Sequence, residues 1–186
     1  WAPDVLFWLA EYHFNQGNHI EAQRVFAELA AKYPGQNLAD DALYWAGRSA
    51  AARHEYLESI EFYNKLAAQF PDSPKLLEAR FAQGDALSEL GQFAGAILAF
   101  EEIIKKAPSS YLADLARGRK GDCQFTLGSD DPSRYSEAIQ TYSALLAQLN
   151  ITPELAWQVE YKIGRCEEKL KNKDKALDHY LSVCYD

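Results

Sequence analysis

Four histidines, three cysteines and several adjacent carboxylates are the groups in this chain that could do chemistry. Metal capture on a helix needs two ligands on one face, such as His at i and i+4 or an H-E-x-x-H run. His13, His19, His54 and His179 make neither pattern, so they read as surface or turn residues and no metal is expected. Cys123, Cys166 and Cys184 form no C-x-x-C pair, and an odd count makes a poor disulfide framework. Glu101-Glu102 and Glu167-Glu168 are sequence neighbours. Neighbours on a helix point to different sides, so they read as solvated faces and not as an acid and its base. No nucleophile elbow, phosphate loop or dinucleotide fingerprint occurs. The chain therefore reads as non-enzymatic, with no cofactor.

Composition narrows the partners. Hydrophobic residues are 48% and charged residues 25%, a globular balance. The net charge of −8 disfavours nucleic acid, which needs a basic face to displace counterions. It disfavours an anionic membrane surface for the same reason. No apolar run reaches the roughly 18 residues that would span a bilayer. The chain begins at Trp1 and has no Met, so it reads as an excised piece. The missing leader then says little about compartment.

The elements that must position these groups are set by an internal repeat. Ala10, Gly47, Gly84 and Gly121 stand 37 residues apart, and Gly164 follows 43 later. A second small series is Ala22, Ser59, Ala96, Ala138 and Ala176. Four residues beyond each stands an aromatic: Phe26, Tyr63, Phe100, Tyr142 and Tyr180. Three further on stands an aliphatic: Leu29, Leu66, Ile103, Leu145 and Val183. The first three units end in Pro34, Pro71 and Pro108. Two antiparallel helices approach closely only where side chains are small. The reading is a hairpin in which Gly or Ala on the first helix faces Ala or Ser on the second. The aromatic and aliphatic share one face and fill the space to the next hairpin. Proline stops the second helix.

Turn signals agree. Gln16-Gly17-Asn18, Leu90-Gly91-Gln92 and Leu127-Gly128-Ser129 join first helix to second, with Gly at the helix end. Ser73-Pro74 reads as N-cap and first helical residue, and Thr152-Pro153-Glu154 repeats that signal. Ser129 to Arg134 lengthens the fourth turn. Asp131-Pro132 reads there as the cap of an extended second helix, with a functional loop as the alternative. The repeats fall at residues 2–36, 37–73, 74–110, 111–152 and 153–186 of one all-α array.

These small, small, aromatic and proline positions resemble the tetratricopeptide repeat over essentially the whole chain. The resemblance implies a right-handed superhelical solenoid of about five hairpins, or about ten helices. The usual unit is about 34 residues and this one is longer. The large apolar position before the first-helix Gly holds Leu9 and Ile163, but Ala46, Gln83 and Lys120 elsewhere, which leaves the middle units' packing open. Tyr33-Pro34, Ala39 to Gly47 and Phe70 to Pro74 look like the repeat region of bacterial envelope proteins such as the Tol-Pal-associated cell-division coordinator. That likeness implies a periplasmic or envelope setting, with the cytoplasm as alternative. Cys123 and Cys166 sit at equivalent positions on helices about 8–10 Å apart, beyond disulfide reach. Buried free thiols are expected, which cuts against an oxidising compartment.

In this family the first helices line a concave groove. The register places Phe7, Tyr44, Phe81, Gly118 and Tyr161 at the fifth helix position. Glu11, Arg48, Asp85, Asp122 and Arg165 take the ninth, and Phe14 and Phe125 the twelfth. The resemblance implies an aromatic ladder beside mixed charge, able to hold a peptide or partner protein, with Tyr44, Arg48 and Phe81 at its centre. Packing within the stack is the alternative role for the ladder. The clamp for chaperone C-termini needs Lys and Asn in the groove. Phe7, Glu11 and Asn15, then Tyr44, Arg48 and Ala52, stand there instead. The expectation is a protein-interaction scaffold. The alternatives are a self-assembling segment, with a homo-oligomer or further repeats at its C-terminal end, or the regulatory arm of an enzyme.

Overall fold

The computed structural model describes residues 2–35, 37–148 and 151–185. Among them are ten α-helices and no strand. They are α1 (Ala2–Asn15), α2 (His19–Lys32), α3 (Ala39–Ala52), α4 (Tyr56–Gln69), α5 (Leu76–Glu89), α6 (Phe93–Lys106), α7 (Tyr111–Leu127), α8 (Ser133–Leu146), α9 (Pro153–Lys169) and α10 (Lys173–Tyr185). The chain forms two compact units, Trp1–Gly91 and Gln92–Asp186. In the first, α1 to α5 each pack on the next; in the second, α6 to α10 do the same.

The repeat explains both cores. Phe26, Leu29, Tyr63 and Leu66 are sealed in the first unit, and Phe100, Ile103, Tyr142 and Leu145 in the second. Each such side chain contributes about 1.5–3 kcal/mol by leaving water. The small residues at the hairpin contacts, Ala10, Ala22, Ser59, Ala96 and Ala138, are completely buried.

The glycines meet a different neighbour from the one expected. A Cβ on Gly47 would lie 2.5 Å from the Tyr63 ring, and one on Gly164 would lie 2.5 Å from Tyr180. Gly121 meets Tyr142 in the same way. At these three positions the nearest neighbour of the first-helix glycine is the aromatic ring four positions past the small residue. A helical side chain leans toward the N-terminus and covers the turn before its own Cα.

The second helices of the first two repeats close as the prolines predict. Tyr33 and Phe70, just before Pro34 and Pro71, leave helical geometry at φ −131° and −132° while their N–H groups still bond Leu29 and Leu66. The hairpin turns use a left-handed residue at Gly17, His54, Gly91 and Lys171. Gly128 departs from the expectation. It stays right-handed at φ −60°, because the longer turn that follows needs no reversal there. Its missing Cβ instead makes room for the Tyr135 ring.

Two start signals divide. Thr152 caps α9 by accepting from the Leu155 N–H, with Pro153 in the first turn. Ser73 does not cap α5, which begins only at Leu76. Its hydroxyl accepts from the Lys75 N–H at 3.0 Å and donates to Asp40 at 2.5 Å, bracing α3. In the long turn, Asp131 accepts from the N–H and hydroxyl of Ser133 at 3.0 and 2.7 Å. It braces the start of α8, whose cap position is Pro132, and α8 is not extended: it has the same 14 residues as α4, while α7 runs to 17.

The polar residues at the apolar position are satisfied. Gln83 accepts from Arg80 and donates to Asn64 on α4. Lys120 pairs with Glu101 on α6 at 2.8 Å. Glu167 is not a solvated residue: it is buried and accepts from Asn172 Nδ2 at 2.6 Å, tying off the α9–α10 turn. Cys123 and Cys166 are buried free thiols and Cys184 is exposed. Burial, then the charge of Glu167, pushes the Cys166 thiol up to about 12.

Candidate partner-binding surfaces

One device occurs twice, at the same register, on α3 and on α9. Tyr44 and Arg48 are one helical turn apart, as are Tyr161 and Arg165. In the first unit Arg48 donates to the Tyr44 hydroxyl at 3.0 Å. Its guanidinium carbon lies 5.8 Å from the Tyr44 ring centre and 5.6 Å from that of Trp45. In the second unit Arg165 donates to the Tyr161 hydroxyl at 3.4 Å. It lies 5.9 Å from the Tyr161 ring and 5.7 Å from Phe125. A guanidinium on an aromatic face is held in place while keeping donors for a further acceptor.

The surroundings of the two devices differ. Tyr44 is 8% exposed and leans on Tyr63, so its ring belongs to the core. Lys75 sits 5.7 Å from that ring and bonds Glu78 at 2.9 Å. Tyr161 is 48% exposed and tilts against Tyr180 at 5.7 Å. Beside it an open cleft of about 710 Å3 is lined by Tyr161, Arg165, Glu168, Lys169, Lys171 and Tyr180.

The other side chains of the register are placed differently. Phe7 meets Phe26 edge-on at 5.3 Å, and Phe14 meets Trp45 at 5.1 Å, so both are half-buried packing residues. Glu11, Phe81 and Asp85 are half-buried on α1 and α5. Asp122 is half-buried and already bonded: it accepts from the Tyr142 hydroxyl at 2.7 Å and from Lys162 at 2.6 Å. Phe125 packs edge-on to Tyr135 and reaches Arg165. The structure thus assembles Tyr44 and Arg48 in one unit and Phe125, Tyr161 and Arg165 in the other.

Register alone missed Trp45, Lys169, Lys171 and Tyr180. Trp45 and Tyr180 lie off the fifth and ninth positions. The run Lys169-Leu170-Lys171-Asn172-Lys173-Asp174-Lys175 was a readable signal, being basic in an acidic chain. Among the described residues no group of three or more His, Cys, Asp or Glu could hold a metal. No described helix is long and apolar enough to cross a membrane.

A family model described as tetratricopeptide repeat matches residues 9–74 and 81–147, and a second with the same description matches 158–186. No curated protein matches. Among solved structures, a crystal structure of MamA protein superposes with TM-score 0.81 at 18% identity, covering 97% of this chain and 89% of that one. MamA from Desulfovibrio magneticus RS-1 gives 0.75 at 16%, covering 98% and 92%. The nearly identical TPR-like repeats of a Podosopora anserina kinesin light chain give 0.72 at 14%, covering 97% and 92%. At such identities the likeness is one of fold.

Proposed function

The chain belongs to the tetratricopeptide-repeat family, and from that premise we propose that it is a non-catalytic scaffold holding a peptide or partner protein on its first helices. The observation that carries this reading is the recurrence of the Tyr–Arg device, Tyr44 with Arg48 and Tyr161 with Arg165. Aromatics and Arg are the usual anchors of interfaces. A photo-cross-linking side chain placed at Phe81, on the first-helix face, is expected to capture partners that one at Leu57, exposed on α4, does not. Arg48→Ala is expected to lower the Phe81 capture about fivefold, the effect of losing an anchor of roughly 1 kcal/mol. Equal capture from both positions counts against the groove, as does capture indifferent to Arg48→Ala.

We place the scaffold in a bacterial cell-envelope system, in the periplasm. Support comes from the 37-residue spacing and the Tyr33-Pro34 and Phe70 to Pro74 segments. Cell fractionation that recovered the protein with cytosolic markers would overturn this placement.

A second reading, self-association, is favoured by α1. Val5, Trp8 and Tyr12 are 60%, 64% and 50% exposed. The same register holds buried Ala42 and Ser49 on α3, Ala79 and Ala86 on α5, Ala116 and Cys123 on α7, and Val159 and Cys166 on α9. On α1 the face that elsewhere packs on a preceding helix is therefore bare. Leu177 and Leu181 of α10 are likewise exposed and apolar. Packing of α10 from one copy on α1 of another covers both. Sedimentation that showed monomer at every concentration would exclude it.

A further inference from the structure

The turn between α9 and α10 is a basic spot on a chain of net charge −8. Lys169, Lys171, Lys173 and Lys175 alternate along it and all four are exposed. Lys169 and Lys171 also line the cleft beside Tyr161. Among the described residues no ion pair ties down either of them, whereas Lys75 in the first unit is bonded to Glu78 and lies near Asp41. The two copies of the Tyr–Arg device therefore differ in charge: one is balanced, while around the other Lys169, Lys171 and Arg165 outnumber the single carboxylate of Glu168.

Arg165 adds to this excess. Its side chain is 41% exposed, and its nearest carboxylate oxygen, on Glu168, stands 3.9 Å from Nε. That same Glu168 oxygen already accepts from the Tyr180 hydroxyl at 3.2 Å. Donors on Arg165 thus remain for an outside acceptor, and a carboxylate matches the guanidinium fork. Unpaired cations in a partly walled cleft concentrate their field and attract the opposite charge.

Lys171 supplies an independent observation. It holds a left-handed backbone at φ 65°, at a turn position held by Gly17, His54 and Gly91 in other repeats. That conformation strains an L-residue and is free of strain for glycine. A lysine kept there brings its ammonium to the cleft at a cost in stability. Strain of this kind tends to persist where a side chain is needed.

We infer that the α9–α10 cleft binds the carboxylate side chains of an extended acidic peptide, with Arg165 and Lys171 as the charge anchors and Tyr161 and Tyr180 as the apolar walls. The inference rests on the partner-binding reading above and names the partner's chemistry at this one place.

Fluorescence anisotropy of the full chain with a labelled peptide of alternating Glu and Ala tests it, beside matched peptides carrying Gln or Lys for Glu. The Glu peptide is expected to bind, more weakly as salt rises, and the other two are not. Lys171→Gly removes the charge and relieves the strain. It is expected to melt no lower than the parent while weakening the Glu peptide by about two- to fivefold, the effect of one exposed ion pair. Arg165→Gln is expected to weaken it further, and Lys105→Gln, on the exposed side of α6, to leave it unchanged. A Glu peptide that fails to bind, binds no better than the Gln peptide, or ignores both substitutions overturns the inference. The partner-binding reading is tested separately, because it stands or falls with the cross-linking at Phe81.

Discussion

A methyl group at Gly47 would stand 2.5 Å from the Tyr63 ring, and that single distance sets the sign of a substitution. Gly to Ala in an open helix gains about 1 kcal/mol from lost backbone freedom. Overpacking a filled contact costs about 1–3 kcal/mol. Gly47→Ala is therefore expected to destabilise by about 1 kcal/mol, read as a lower melting temperature in circular dichroism. A higher one would mean that the ring swings aside freely. The sequence located this glycine through its spacing, but not its neighbour. Spacing reports which face a residue lies on, while the lean of a tyrosine side chain decides what it covers. The same limit applies to Glu167, which sequence reasoning placed in water. Its partner, Asn172, lies past the helix end, where helical periodicity carries no information.

Two tyrosines on second helices titrate above the ordinary range. Burial pushes the Tyr63 phenol on α4 up to about 12. On α8 burial, joined by the nearby Asp122 carboxylate, raises the Tyr142 phenol further. An unfolded tyrosine titrates near 10. The stability held by the neutral phenol is thus whole below pH 10 and is lost as pH rises toward 12. For Tyr63 that amounts to about 3 kcal/mol. Urea midpoints followed through the alkaline range are expected to fall, and Tyr63→Phe to blunt the fall. A curve indifferent to Tyr63→Phe would show that the ring is wetter than the structure has it. Helix starts were legible where a cap had its partner three residues on, as at Thr152. They were illegible at Ser73, whose hydroxyl is spent on Asp40 of α3, a contact remote in sequence.

At the scale of the molecule the fold was open to reading because one pattern recurs often enough to exclude accident. Ten helices and their order follow from small residues, aromatics, glycines and prolines at fixed offsets. The binding surface was less legible. Register gave Tyr44 and Tyr161 equal standing, yet one is a core ring and the other a surface ring. Their difference comes from the helices packed around them, which register does not encode. The exposed Trp8–Tyr12 stack on α1, with ring centres 5.9 Å apart, bears on assembly. Sedimentation across a wide concentration range is expected to show growth beyond the monomer, and Trp8→Glu to abolish it. Such contact joins unlike faces, α10 of one copy on α1 of another.

The turn between α7 and α8 offers a practical use for these glycine contacts. Gly121 under Tyr142 and Gly128 under Tyr135 fix the two helices on either side of it. Just past Gly128, in the turn itself, Ser129 and Asp130 are exposed. Extra sequence spliced between them is carried outside the packed helices, so a fluorescent reporter or an affinity handle can be mounted there without loosening either seat.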